Sequence, residues 1–306
     1  MVTCGGAGFA QAAQTVMYSS TTRVLSRRVF GQLLVVSLVV AGVAGCQSAP
    51  KQAAPGTARV TTAPKQVASA PFRVMTYNIH HGAGLDGKVD LPRIAALIKH
   101  ERADIVALQE VDKGVTRTAK RDCPAELAAL TGMSCVFSNN LHFQGGEYGN
   151  AVLTRFPIKR SANRHFKMLN PGEQRGLLQV VLDVHGRELV FLDTHADARS
   201  EDAERVYSAA EMVEAIQPYR GRPMILCGDF NDTPGSRTYQ ALAKEFMDSW
   251  MVAGVGDGFT IPAEKPRKRI DYLWVSTNPA IETLKVWVPQ SDASDHLPVV
   301  GEFRLR

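Results

Sequence analysis

Apolar residues in this chain fall into short runs separated by polar, turn-rich segments. Some runs are apolar throughout. Ile105-Val106-Ala107-Leu108 and Met224-Ile225-Leu226-Cys227 have no polar face, as strands do when both sides of their sheet are covered. Other runs alternate apolar with polar, as in antiparallel sheets. The pattern predicts strands over 72–79, 104–109, 134–138, 149–154, 176–183, 188–194, 223–228, 270–276, 281–287 and 298–304. Helical spacing appears in fewer places. Asp90 can cap a helix over 91–100, with Leu91, Ile94, Leu97 and Ile98 on one face. A second helix follows Ser200, with Glu201, Asp202 and Glu204 in its first turn to complement the helix dipole. A third starts near Gly235-Ser236 and carries Tyr239, Leu242 and Phe246. A short helical pattern also lies between Cys123 and Cys135. Many strands and few helices predict two packed sheets flanked by helices, in one domain over 71–306.

The first seventy residues follow another rule. Phe30 to Val43 is an apolar stretch of fourteen residues, short of the ~20 that a spanning helix needs. It suits the core of a signal peptide, with Arg27 and Arg28 as its positive flank. Ser26-Arg27-Arg28-Val29-Phe30 resembles a twin-arginine export signal; a general secretory signal fits the same residues. Val43-Ala44-Gly45-Cys46 resembles a bacterial lipobox, which makes 1–45 the signal peptide and Cys46 the lipidated first residue. Gln47 after that cysteine fits outer-membrane sorting, facing the periplasm, in a Gram-negative host. Residues 47–70 are rich in Ala, Pro, Thr and Gln and read as a tether. The expectation is an exported monomeric domain, held to the cell-envelope membrane by a lipid anchor.

Charge and cysteines refine this picture. The formal charge is +5, but six of the thirty-five Lys and Arg lie in 1–70, which has no acid. Twenty-nine basic residues then face thirty acidic ones in 71–306, so a broad nucleic-acid footprint is missing from the domain. A hydrophobic share of 45% excludes a disordered chain. Cys4 leaves with the signal peptide. After export an oxidising compartment permits a Cys123–Cys135 disulfide, which is the expectation; two separate thiols are the alternative. Cys227 reads as a core thiol, and no cysteine or histidine spacing suggests zinc.

Polar residues sit at the edges of the apolar runs. Asn78 ends 72–78, Gln109-Glu110 ends 105–110, and His195 ends 190–195. Asp229 and Asn231 follow Ile225–Gly228, Asp271 lies in 269–275, and Asp295-His296 precedes 297–300. A charged group beside a core strand is costly unless it is paired or binds a metal. Six such segments suggest convergence on one pocket. Asn78, Glu110 and Asp295 offer hard oxygens suited to Mg²⁺ or Mn²⁺. Asp229, His195 and His296 offer proton-transfer groups, which together point to metal-assisted attack of water on a phosphoester.

The segments FRVMTYNIHHG, DIVALQEVD, FLDTHAD, ILCGDFND, RIDYLWV and SDHLPVV, in this order, resemble the endonuclease/exonuclease/phosphatase superfamily. The resemblance covers essentially all of 72–306 and implies a four-layer α/β/β/α sandwich. It implies Glu110 as principal Mg²⁺ ligand with Asn78 beside it, and Asp295 as a further metal or water contact. Asp229 would orient or deprotonate the attacking water, and Asn231 would donate to a phosphate oxygen. Asp271 would orient His296, and His195 would serve as phosphate ligand or leaving-group acid. Members differ in which group is the base, so that role stays open. Arg269, in the basic run Lys265–Arg269, and Asn150, after a glycine-rich turn, are candidates for holding substrate phosphate. The substrate could be a phospholipid headgroup, a small phosphate ester or nucleic acid; a non-catalytic binding lipoprotein on the same scaffold is the competing class.

Overall fold

Residues 69–277 and 281–306 are described by the computed structural model. Among them the chain runs β1 (Phe72–Asn78), α1 (Leu91–His100), β2 (Ile105–Lys113), α2 (Cys123–Thr131), β3 (Ser134–Phe143), β4 (Gly146–Thr154), β5 (Ile158–His165), β6 (Gly176–Val184) and β7 (Arg187–His195). It continues through α3 (Ala203–Ala215), β8 (Met224–Asp229), α4 (Arg237–Leu242), β9 (Phe246–Asp248), α5 (Ser249–Ala253), β10 (Asp271–Ser276), β11 (Ile281–Trp287) and β12 (Val299–Leu305). The signal segment, Cys46 and most of the tether lie outside the described residues.

Two six-stranded sheets form, with strand orders β11-β12-β1-β2-β4-β3 and β5-β6-β7-β8-β10-β9. Most neighbours are antiparallel; β1–β2 and β7–β8 are parallel. Alternation within each strand assigns side chains to layers. Val74, Ile105, Ala107, Phe191, Ile225 and Leu273 meet between the sheets. Met75, Tyr77, Val106 and Leu108 face outward onto α1 and α2. Val190, Leu192, Leu226 and Trp274 face outward onto α3 and α4. The result is an α/β/β/α sandwich, and it explains the runs with no polar face: both sides of these strands are covered.

Local signals hold at α1, where Asp90 Oδ1 accepts from the Arg93 amide at 3.1 Å. Two other expectations change. The helix after Ser200 begins at Ala203, so of the three acids only Glu204 lies in its first turn. Its carboxylate instead accepts from the Leu169 and Asn170 amides. α4 stops at Leu242, and Phe246 belongs to β9.

The expected Cys123–Cys135 disulfide is not formed; both cysteines are free. Cys123 opens α2 and Cys135 lies just beyond its far end, at the start of β3. A disulfide needs Cα atoms roughly 4.4–6.8 Å apart with facing side chains; here each thiol instead packs as an apolar side chain against the outer cluster beneath α1 and α2. Burial raises the Cys123 thiol to about 11 and the Cys135 thiol to about 12, so both stay protonated and inert.

Candidate active site

Strand register gathers the polar residues at one end of the sandwich. In the second sheet, His195 pairs with Asp229 across β7–β8, and Asp229 pairs with Asp271 across β8–β10. Three ionisable side chains thus stand in a row on adjacent strands. Gly228 permits this: a Cβ there would lie 1.8 Å from the Thr194 carbonyl oxygen, so no larger residue fits between β7 and β8. From the first sheet come Asn78, at the end of β1, and Glu110, at a register shift between Leu108 and Val111 in the β2–β4 pairing. Glu110 has φ +59° and Asn231 has φ +49°. Left-handed backbone at such residues costs roughly 1–3 kcal/mol and clusters at functional sites; at Glu110 the bulge re-aims the side chain.

Asn78 joins the two sheets. Its Nδ2 donates to Glu110 Oε1 at 2.9 Å and to Asp229 Oδ2 at 3.0 Å. Its Oδ1 accepts from the His80 amide. Asp229 is 1% exposed and accepts from the Asn231 amide at 2.9 Å. His195 Nε2 and His296 Nε2 stand 3.5 and 3.6 Å from Asp229 Oδ2. His296 Nδ1 lies 3.0 Å from Asp271 Oδ2. Ser294 Oγ donates to the Asn78 carbonyl at 2.8 Å, which brings the half-buried Asp295 to the rim.

Electrostatics separates these groups. Burial, then repulsion from Asp271, raises the Asp229 carboxyl to about 7. Burial pulls His296 down, but Asp271 and Asp229 outweigh it and hold the imidazole at about 10. His195 goes the other way: burial, then the Arg175 and His296 charges, push it well below its ordinary value. Near neutral pH the site therefore pairs a cationic His296 with a neutral His195.

A divalent cation suits the donor set. Glu110, Asn78 and Asp295 supply carboxylate and amide oxygens, the hard donors that Mg²⁺ and Mn²⁺ prefer. Asp229, Asp271 and His296 also have ligand atoms within 4.8 Å of one another. In that trio His296 could offer Nε2, 3.6 Å from Asp229 Oδ2, while its Nδ1 keeps the bond to Asp271 Oδ2.

The expected site residues are largely brought together, with exceptions. Arg269 is not at the site surface. It is 4% exposed, pairs with Asp248 at 2.7 Å and stacks over the Tyr272 ring. The exposed Lys265, Arg267 and Lys268 remain near the rim, because the Ala263 amide donates to the Asp295 carbonyl. Asn150 lies in a buried polar layer, accepting from Asn140 Nδ2 at 2.9 Å, beside the Asp193 carboxyl. Asp193 accepts from Gln109 at 2.7 Å, and burial raises its carboxyl well above the usual range. Arg175, whose Nη1 is 2.8 Å from His195 Nδ1, is not signalled by the polar ends of the apolar runs. In antiparallel pairs the start of one strand lies beside the end of the next, and Arg175 directly precedes β6.

Comparison with known proteins agrees with this architecture. The model of the endonuclease/exonuclease/phosphatase family matches residues 75–296, and the chain belongs to that family. The uncharacterized protein YbhP of Escherichia coli K12 is 27% identical over 250 residues, spanning 76% of this chain and 96% of YbhP. An endonuclease/exonuclease/phosphatase structure from Beutenbergia cavernae superposes with a TM-score of 0.61 at 26% identity, covering 77% of this chain and 72% of that one. The mannosyl-6-phosphatase of Bacteroides thetaiotaomicron gives 0.64 at 20% identity, covering 76% and 99%; this shows a shared fold.

Proposed function

We propose that this family member is a divalent-metal-dependent phosphoester hydrolase, exported and lipid-anchored through Cys46 as a monomer in the bacterial cell envelope. The observation that carries the reading is one cluster in which Asn78 ties the Glu110 carboxylate to the Asp229 carboxylate, with one cationic and one neutral histidine against Asp229. Glu110, Asn78 and Asp295 would hold Mg²⁺ or Mn²⁺. Bound there, the cation would polarise a phosphoryl oxygen and offset its charge. Asp229 orients the attacking water and takes its proton. His296, charged and fixed by Asp271, stabilises the negative charge that grows on the phosphoryl oxygens. Asn231 donates to a further phosphate oxygen.

The near-balanced charge of 71–306 disfavours extended nucleic acid, and a membrane tether favours phosphoesters at that surface, phospholipid headgroups included. The experiment is a Mg²⁺-dependent panel of plasmid DNA, sphingomyelin, phosphatidylinositol and bis-p-nitrophenyl phosphate, each with and without excess chelator. Hydrolysis of at least one, abolished by chelator, is expected. No hydrolysis, or hydrolysis indifferent to chelator, would refute the reading. Cys46→Ser should leave the domain unlipidated in intact-mass analysis; a wild-type chain cut elsewhere and lacking lipid would refute the anchor.

A further inference from the structure

Arg175 stands opposite His195 because β6 and β7 run antiparallel, with Leu177 paired to Thr194. The side chain is 7% exposed. Its Nη1 lies 2.8 Å from His195 Nδ1, and its Nη2 donates to Glu173 Oε2 at 2.7 Å. A guanidinium has only donors and keeps its proton in proteins. Nδ1 of His195 must therefore accept, which leaves the ring proton on Nε2. A doubly protonated ring would oppose N–H to N–H and cation to cation at this distance. Nε2 points into the cluster, 3.5 Å from Asp229 Oδ2 and 3.1 Å from Asn231 Nδ2. Asn231 Nδ2 is itself a donor with two hydrogens, one on the Ala196 carbonyl and one turned toward Nε2. Only one nitrogen of a neutral ring can accept, and the charged Arg175 donor at 2.8 Å outcompetes the neutral amide at 3.1 Å. The acceptor for the Nε2 proton is thus Asp229 or an oxygen that arrives with substrate. His296 has the opposite arrangement, with Nδ1 against the Asp271 carboxylate.

We propose that Arg175 is a positioning residue that holds His195 as the neutral Nε2–H tautomer, so that His195 donates a hydrogen bond to a phosphoryl oxygen and does not act as the base. This rests on the phosphoester reading above and sharpens it: of the two histidines at Asp229, neither is free to take the water proton. The two rings are also unlike in charge, so they are not interchangeable.

The test is spectroscopic. The full chain is labelled with ¹⁵N-histidine, and long-range ¹H–¹⁵N correlation is recorded near neutral pH without substrate. His195→Gln identifies the His195 signals. The expected spectrum shows a bare Nδ1 and a protonated Nε2 on His195. An Nδ1–H tautomer, or protons on both nitrogens, overturns the proposal. Arg175→Met should let the ring populate both tautomers and lower kcat by about 10²–10⁴-fold. Arg175→Lys, which keeps a donor, should retain the tautomer. An unchanged His195 spectrum in Arg175→Met overturns the proposal even where activity falls. Inactivity of the wild-type chain toward every phosphoester refutes the hydrolase reading, while the tautomer result stands apart from it.

Discussion

At Asp229 two opposing influences meet. Burial and the neighbouring Asp271 raise its carboxyl to about 7, against the pull of His296 and the bonds from Asn231 and Asn78. His296 keeps its proton to about 10. Between those values an ionised proton acceptor faces a cationic imidazole; below them Asp229 is protonated, and above them His296 is neutral. The kcat/KM profile should accordingly be a bell with limbs near 7 and 10, which as coupled titrations belong to the cluster as a whole. Added Mg²⁺ favours the Asp229 carboxylate and should move the acid limb to lower pH. Rate profiles at two Mg²⁺ concentrations check this; a rate that climbs without a fall through pH 10 contradicts it. Two substitutions should differ in kind. Glu110→Ala removes one of the oxygens proposed to hold the metal, so raised Mg²⁺ should restore part of the activity by mass action. His296→Ala removes a charge that metal does not replace, and kcat should stay about 10²–10⁴ lower at any Mg²⁺ concentration. Titrating Mg²⁺ against both variants separates the roles.

At the scale of elements, Arg269 shows how a basic residue near a site can belong to the scaffold. Its pairing with Asp248 links the entry of β10 to the end of β9, while Asp248 Oδ1 also accepts from the Trp250 amide at the start of α5. Breaking a buried pair leaves an uncompensated charge and costs roughly 3–5 kcal/mol. Arg269→Met should lower stability by about that much in urea titration, with KM unchanged in the folded fraction. A raised KM at unchanged stability would return Arg269 to the substrate. The basic run before Asp271 gave no sign of this, because Asp248 is twenty-one residues away and only the fold brings it near. The same limit explains β5 and β9, which the apolar pattern passed over. Ile158-Lys159-Arg160-Ser161 is an edge strand that faces solvent and needs no apolar alternation, and Phe246–Asp248 is three residues long. Covered strands such as β2, β7 and β8 were legible because both faces must be apolar. Asn78, Glu110, His195, Asp229, Asp271 and His296 were legible because a polar group beside such a strand demands a partner. Left-handed Glu110 was not, since a bulge depends on the partner strand.

At the scale of the whole folded domain, stability among the described residues comes from three apolar layers rather than from a covalent link. Cys123 and Cys227 are buried and Cys135 is partly buried, all three as thiols. Each borders an apolar cluster built from strands of distant sequence. A Cys123–Cys135 bridge would close a loop of twelve residues, worth about 2–3 kcal/mol on the chain-entropy model. For a domain of this size that is roughly 4–12 °C in Tm, at about 2–4 °C per kcal/mol. Without the bridge a reducing agent has nothing to cut. Thermal melts of protein purified under oxidising conditions, with and without reductant, should therefore superimpose. Thiol titration of the unfolded, unreduced protein should find all three of these cysteines reactive. A Tm that drops by several degrees on reduction, with one thiol titrating instead of three, would show that oxidation draws the start of α2 onto β3 and that the packing around Cys123 gives way to allow it.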